Sequence, residues 1–101
     1  MFTMQFKVPY TELVENRARE LQLDGYAVVF ERSKVNDDWV RVWMTDEEEL
    51  ASFARVVKVE LGPSLLETTP ITQDDNQEVV DRALEVLNVT AKRLASRPVY
   101  L

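Results

Sequence analysis

The chain has 101 residues, 46% apolar and 30% charged, with a formal net charge of −6, two glycines and four prolines. That is the size of one ordinary domain, spanning residues 1–101, too apolar for a disordered chain and without the long apolar run of a membrane span. Cysteine and histidine are both absent, which excludes disulfide scaffolds, thiolate or imidazole metal sites, and nucleophilic triads with histidine as the base.

Residues Phe2, Met4, Phe6 and Val8 alternate with Thr3, Gln5 and Lys7, which predicts a half-buried strand. Pro9 ends it. Tyr10, Leu13, Val14, Ala18 and Leu21 then fall on one stripe of a helix that Asp24-Gly25 terminates. Tyr26 to Arg32 is rich in β-formers, Asn36-Asp37-Asp38 is a turn signal, and Trp39 to Met44 completes a hairpin. Thr45-Asp46-Glu47-Glu48 has the form of a capping box with Thr45 as the cap. It opens a second helix that buries Leu50, Phe53, Ala54, Val57 and Leu61 and stops at Gly62-Pro63.

Residues 63–71 read as a connector. Thr72 to Asp75 is a second capping signature, and a third helix is expected from about Gln73 to Ala95, roughly 33 Å long at helical rise. Its apolar positions are Val79, Val80, Ala83, Leu84, Val86, Leu87, Ala91 and Leu94. Pro98 to Leu101 leaves room for a short final strand. The expectation is an α+β fold: an antiparallel sheet of three or four strands with helices on one face, in the order β-α-β-β-α-α. This order resembles a ferredoxin-like sandwich carrying an additional helix, a resemblance of architecture that implies no activity.

The charge is unevenly spread. Residues 36–49 sum to −5 and residues 67–91 to −5, whereas residues 92–101 sum to +3. Both acidic blocks precede or open expected helices, where carboxylates complement the helix dipole. They also disfavour nucleic acid nearby and favour a basic partner.

Little in the chain offers chemistry. The two glycines sit at helix ends, so no phosphate-cradling loop is available. Asp37-Asp38 and Asp74-Asp75 are adjacent carboxylates that point in different directions. The oxygen-rich stretch from Thr72 to Glu78 lacks the glycine and the twelve-residue spacing of a calcium loop. Asn88-Val89-Thr90 fits a glycosylation acceptor but falls inside an expected helix, behind no signal peptide. A non-enzymatic protein is therefore expected, with no cofactor, no metal and no membrane association. The absence of cysteine fits a reducing, cytoplasmic compartment.

The remaining signal is the strand Trp39-Val40-Arg41-Val42-Trp43-Met44. Strand alternation sends Val40, Val42 and Met44 one way and Trp39, Arg41 and Trp43 the other. If the aliphatic set lies beneath the helices, two indoles flanking a guanidinium form an open platform; the opposite register would send the rings into the core. The open register predicts an acidic inhibitor or regulator that binds a basic protein surface, including one that normally holds nucleic acid, in the manner of small regulators carried by phages and mobile elements. Trp39, Arg41 and Trp43 would anchor it, and Asp37, Asp38, Asp46, Glu47, Glu48 and Glu49 would supply the electrostatics. One alternative is a single-stranded nucleic-acid module that stacks bases on the sheet, against which the acids argue. Another is a homodimer through the third helix, whose positions 80, 83, 87 and 94 approach heptad spacing with Thr90 at the fifth.

Overall fold

The computed structural model describes residues 1–95; the expected strand at residues 98–101 lies outside them. The elements are β1 (Phe2–Lys7), α1 (Glu12–Leu23), β2 (Val29–Arg32), β3 (Trp39–Met44), α2 (Glu47–Leu61), β4 (Glu67–Thr68), β5 (Thr72–Gln73) and α3 (Gln77–Ala95). All pairings in the sheet are antiparallel. β1 lies at the centre, with β3 and then β2 on one side and β4 and β5 along the other. The expected α+β class and its antiparallel sheet are present, and the arrangement is that of a ferredoxin-like sandwich with an added helix.

β1 is central because its alternation is complete: Met4, Phe6 and Val8 are buried on one face. There they join Val40, Val42 and Met44 from β3, Val14 and Ala18 from α1, and Leu50, Phe53 and Val57 from α2. Phe6 and Phe53 meet edge to face, with centroids 5.7 Å apart. One carboxylate is drawn into this layer. Glu15, 7% exposed, accepts hydrogen bonds from Arg32 Nη2 at 2.8 Å and Nε at 3.2 Å. Burial opposes its ionisation, but Arg32, Thr11 and Arg19 outweigh that cost and hold its pKa below the ordinary glutamate value. The pair ties α1 to β2.

Three boundaries differ from the sequence reading. The cap of α2 is Asp46, whose carboxylate accepts the Glu48 N–H at 2.8 Å, so the helix begins one residue later than a Thr45 cap would place it. The connector at 63–71 contains the fourth edge. Lys7 and Phe6 pair with Glu67 and Thr68, while Thr3 and Phe2 pair with Thr72 and Gln73. Three steps along β1 thus face four along the edge, a bulge that accommodates Pro70, which has no N–H to donate. Thr69 bridges the gap: its N–H donates to the Gln5 carbonyl at 3.0 Å, and its Oγ1 accepts the Gln5 N–H at 2.8 Å. Because residues 72 and 73 belong to the sheet, α3 starts at Gln77 and not at Gln73. Asn76 caps it, its Oδ1 accepting the Glu78 N–H at 2.9 Å.

The expectation of helices on one face holds for α1 and α2 and is corrected for α3, whose Val79 and Ala83 find their apolar partners on the opposite face. α1 and α2 cover the face of Val40 and Val42. α3 crosses to the other face, where Val79 and Ala83 pack on Val29 and Trp43.

Candidate functional site

β3 presents its residues as the alternation requires. Val40, Val42 and Met44 are buried beneath α1 and α2, and Trp39, Arg41 and Trp43 face the opposite side. On that face register sets Trp39 opposite Lys7, Arg41 between Gln5 and Glu31, and Trp43 between Thr3 and Val29.

The expectation of two open indoles is corrected at one of them. Trp43 is only 5% exposed, because Val79 and Ala83 of α3 lie on it. Its Nε1–H donates to Asp74 Oδ2 at 2.9 Å, which satisfies the one polar atom of the ring and fixes the turn that leads into α3. Arg41 lies over the same ring, with Cζ 5.7 Å from its centroid. Trp39 is half-buried, and among the described residues no guanidinium stacks on it. Trp43 and Arg41 thus hold α3, while Trp39 remains partly open to solvent. A shallow hollow of about 380 Å³ on the same face is lined by Gln5, Glu31, Arg32, Ser33, Lys34, Arg41 and Trp43, and not by Trp39.

The acids adjacent to this strand in sequence are separated in space. Asp37 and Asp38 lie in the turn before β3, with Asp38 Oδ2 3.9 Å from Lys7 Nζ. Asp46, Glu47, Glu48 and Glu49 lie at the other end of β3, roughly 20 Å away by the rise of a six-residue strand. Glu48 and Glu49 border a hollow with Arg17, Leu21 and Phe53, on the side of α1 and α2. The aromatics and the full set of carboxylates do not form one patch.

Register makes a different grouping. Phe2 pairs with Met44 on one side and Gln73 on the other, so β3 and β5 end on either side of β1, roughly 10 Å apart. α2 starts just after Met44 and α3 just after Gln73. The two acidic blocks, about thirty residues apart in sequence, therefore both lie at one end of the sheet, one in each layer. Asp46, Glu47, Glu48 and Glu49 approach from one layer; Asp74, Asp75, Glu78 and Asp81 approach from the other.

Part of this charge serves local structure. Asp46 caps α2. Asp74 takes the Trp43 indole on Oδ2 and the Asn76 N–H on Oδ1 at 3.1 Å. These bonds, with the charges of Arg41 and the amino terminus, hold its pKa below the ordinary aspartate value. Asp75 Oδ1 binds the Met1 ammonium at 2.6 Å, which lowers its pKa as well. Glu47, Glu48, Glu49 and Glu78 form no ion pair among the described residues.

Magnitudes decide whether helix capping accounts for the cluster. Two helix N-termini supply about one positive unit in total, and one ammonium adds another. Eight carboxylates exceed this severalfold, so the pole stays strongly negative. Sequence reasoning missed this convergence because its signal is the pairing of β5 with β1, carried by a two-residue strand.

Among the described residues, no group of carboxylates has the arrangement a metal ion requires, and no helix is long and apolar enough to cross a membrane. No family model matches the chain, and comparison with curated proteins and with solved structures finds no match either.

Proposed function

We propose that this is a non-enzymatic interaction protein, an inhibitor or regulator that presents its acidic pole to a basic protein surface. The observation that carries this reading is the convergence of Asp46, Glu47, Glu48, Glu49, Asp74, Asp75, Glu78 and Asp81 at the helix-start end of the sheet. A like-signed pole of this size steers a basic partner and raises the rate of encounter. Trp39, with Asp37 and Asp38 beside it, serves as a second and smaller contact at the far end of β3. Arg41 and Trp43 contribute indirectly by fixing α3 and the turn before it, which together carry half of the pole. The single-strand alternative draws on Trp39 and on the cations Arg32, Lys34 and Arg41 around the hollow on the same face. With Trp43 beneath α3, it lacks the second stacking ring.

The test is capture from a cell lysate by the wild type, by Glu47→Gln/Glu48→Gln/Glu49→Gln/Glu78→Gln, and by Trp39→Ala. Basic proteins retained at low salt should be lost with the quadruple variant. They should also elute near 0.5 M salt, where charges are screened beyond about 4 Å. Trp39→Ala should weaken retention without abolishing it. Retention of the same proteins by the folded quadruple variant sinks the proposal. Salt-dependent binding of a short labelled single strand would favour the alternative.

A further inference from the structure

α3 carries two apolar sectors, and the sheet uses only one. Val79, Ala83, Val86 and Thr90 turn inward: the first two pack on Trp43 and Val29, and Thr90 Oγ1 donates to the Gln22 carbonyl at 3.2 Å. Val80, Leu84, Leu87 and Ala91 form an adjacent stripe, spaced 4-3-4. Leu84 is 54% and Leu87 38% exposed; Val80 is half-buried and Ala91 exposed. The 4-3-4 spacing is that of a coiled-coil seam, and it presents four apolar side chains along one side of a helix. This frame differs from the 80-83-87-90 frame expected from sequence, two of whose positions, Ala83 and Thr90, face inward.

We infer that a second copy of the chain covers this stripe, the two α3 helices packing antiparallel about a two-fold axis between residues 87 and 88. Charge selects both the occupant and the orientation. The first half of α3 carries Glu78, Asp81 and Glu85, while its only cation, Arg82, is engaged with Glu31 at 3.3 Å. The second half carries Lys92 and Arg93 in its sequence and no acid. Antiparallel pairing sets each acidic half against the partner's basic half and opposes the two helix dipoles. Parallel pairing would set acid on acid and base on base. The contact is isologous: Leu84 meets Ala91 of the second copy, Leu87 lies near the axis, and Asn88 flanks the seam beside its counterpart. Pairing engages Glu78 and Asp81, which belong to the half set against the partner's cations, and leaves free the six carboxylates of the pole that precede α3: Asp46, Glu47, Glu48, Glu49, Asp74 and Asp75.

Sedimentation from about 1 to 500 µM, bracketing a micromolar dissociation constant, tests the pairing. The wild type should pass from monomer to dimer. Leu87→Glu should raise the dissociation constant at least about a hundredfold, since it brings two carboxylates to the axis, with Trp43 fluorescence confirming that the fold persists. Orientation is read with single cysteines, since the chain has none of its own. Asn88→Cys should oxidise to a linked dimer and Leu84→Cys should not. A wild type that stays monomeric throughout the range overturns the proposal. So does a linked dimer from Leu84→Cys with none from Asn88→Cys, the mark of parallel pairing. Either result leaves the acidic-pole reading to its own test.

Discussion

The two faces of the sheet are built to different standards. The face under α1 and α2 buries a continuous apolar layer in which Phe6, Val14, Val28, Val40, Val42 and Leu50 have no exposed surface. The face under α3 has a cluster of four buried residues, Val29, Trp43, Val79 and Ala83, held by single polar contacts: the Trp43–Asp74 hydrogen bond, the Arg82–Glu31 pair and the Thr90 hydroxyl. Buried area and dispersion scale with the first face. The second behaves as a latch, closed by one aromatic ring and a few directed bonds. Such regions open locally at a lower free energy than the global transition. The latch is also where the function is proposed to reside, since α3 and the turn before it carry half of the acidic pole, and α3 carries the stripe assigned to the second copy.

The largest expected effect lies on the continuous face. Phe6→Ala removes a fully buried ring that packs on Phe53 and should cost about 3–5 kcal/mol. Chemical denaturation of this variant should show the far-ultraviolet and tryptophan midpoints falling together; a loss confined to the tryptophan signal would show that Phe6 supports the α3 face instead and would break the comparison. Trp43→Phe keeps most of the ring but removes the indole N–H, and should cost about 1–2 kcal/mol. Hydrogen exchange should quicken in α3 and stay slow in β1, and equal acceleration in both would break the comparison. Asp74→Asn, the smallest change, should cost up to about 1 kcal/mol: its one amide oxygen can accept the indole proton, but the amide nitrogen cannot accept the Asn76 N–H.

The same carboxylate gives the latch a pH dependence. Asp74 titrates below the ordinary aspartate value, chiefly through the Trp43 hydrogen bond and then the Asn76 N–H. Its contribution is therefore complete above the ordinary aspartate value, near pH 4, and is lost as pH falls through the lowered one. In a Trp39→Phe background, Trp43 emission should shift to the red over that acid range, and Asp74→Asn should remove the shift. An unchanged shift in that variant would show that another group controls the ring.

How far the residues announce this arrangement differs from element to element. The alternation of Phe2 to Val8 and of Trp39 to Met44 identifies both strands and sorts their residues into two sets, because a period of two has only two phases; for β3 it leaves open which set lies beneath α1 and α2. The Leu50-Phe53-Val57 stripe places α2 equally well. The edge at 67–73 was illegible: each piece has two residues, and Pro70 between them suggests a loop. α3 was legible as a helix but not in its placement. Val79 and Val80 begin two stripes side by side, and periodicity cannot say which one a sheet will take. The acids were misgrouped for a related reason. Proximity in sequence joined Asp37 to Glu49, whereas register joins Glu49 to Asp74.

The margins of the sheet have one more consequence. An unpaired strand edge is a template on which another chain can polymerise. One margin here is broken into two-residue pieces by Pro70. On the other, Arg82 Nη2 donates to the Phe30 carbonyl at 3.3 Å, so α3 occupies a hydrogen-bonding group that an incoming strand would seek. Release of α3 would return that carbonyl to the open edge of β2 and remove one of the groups that blunt it against an incoming strand.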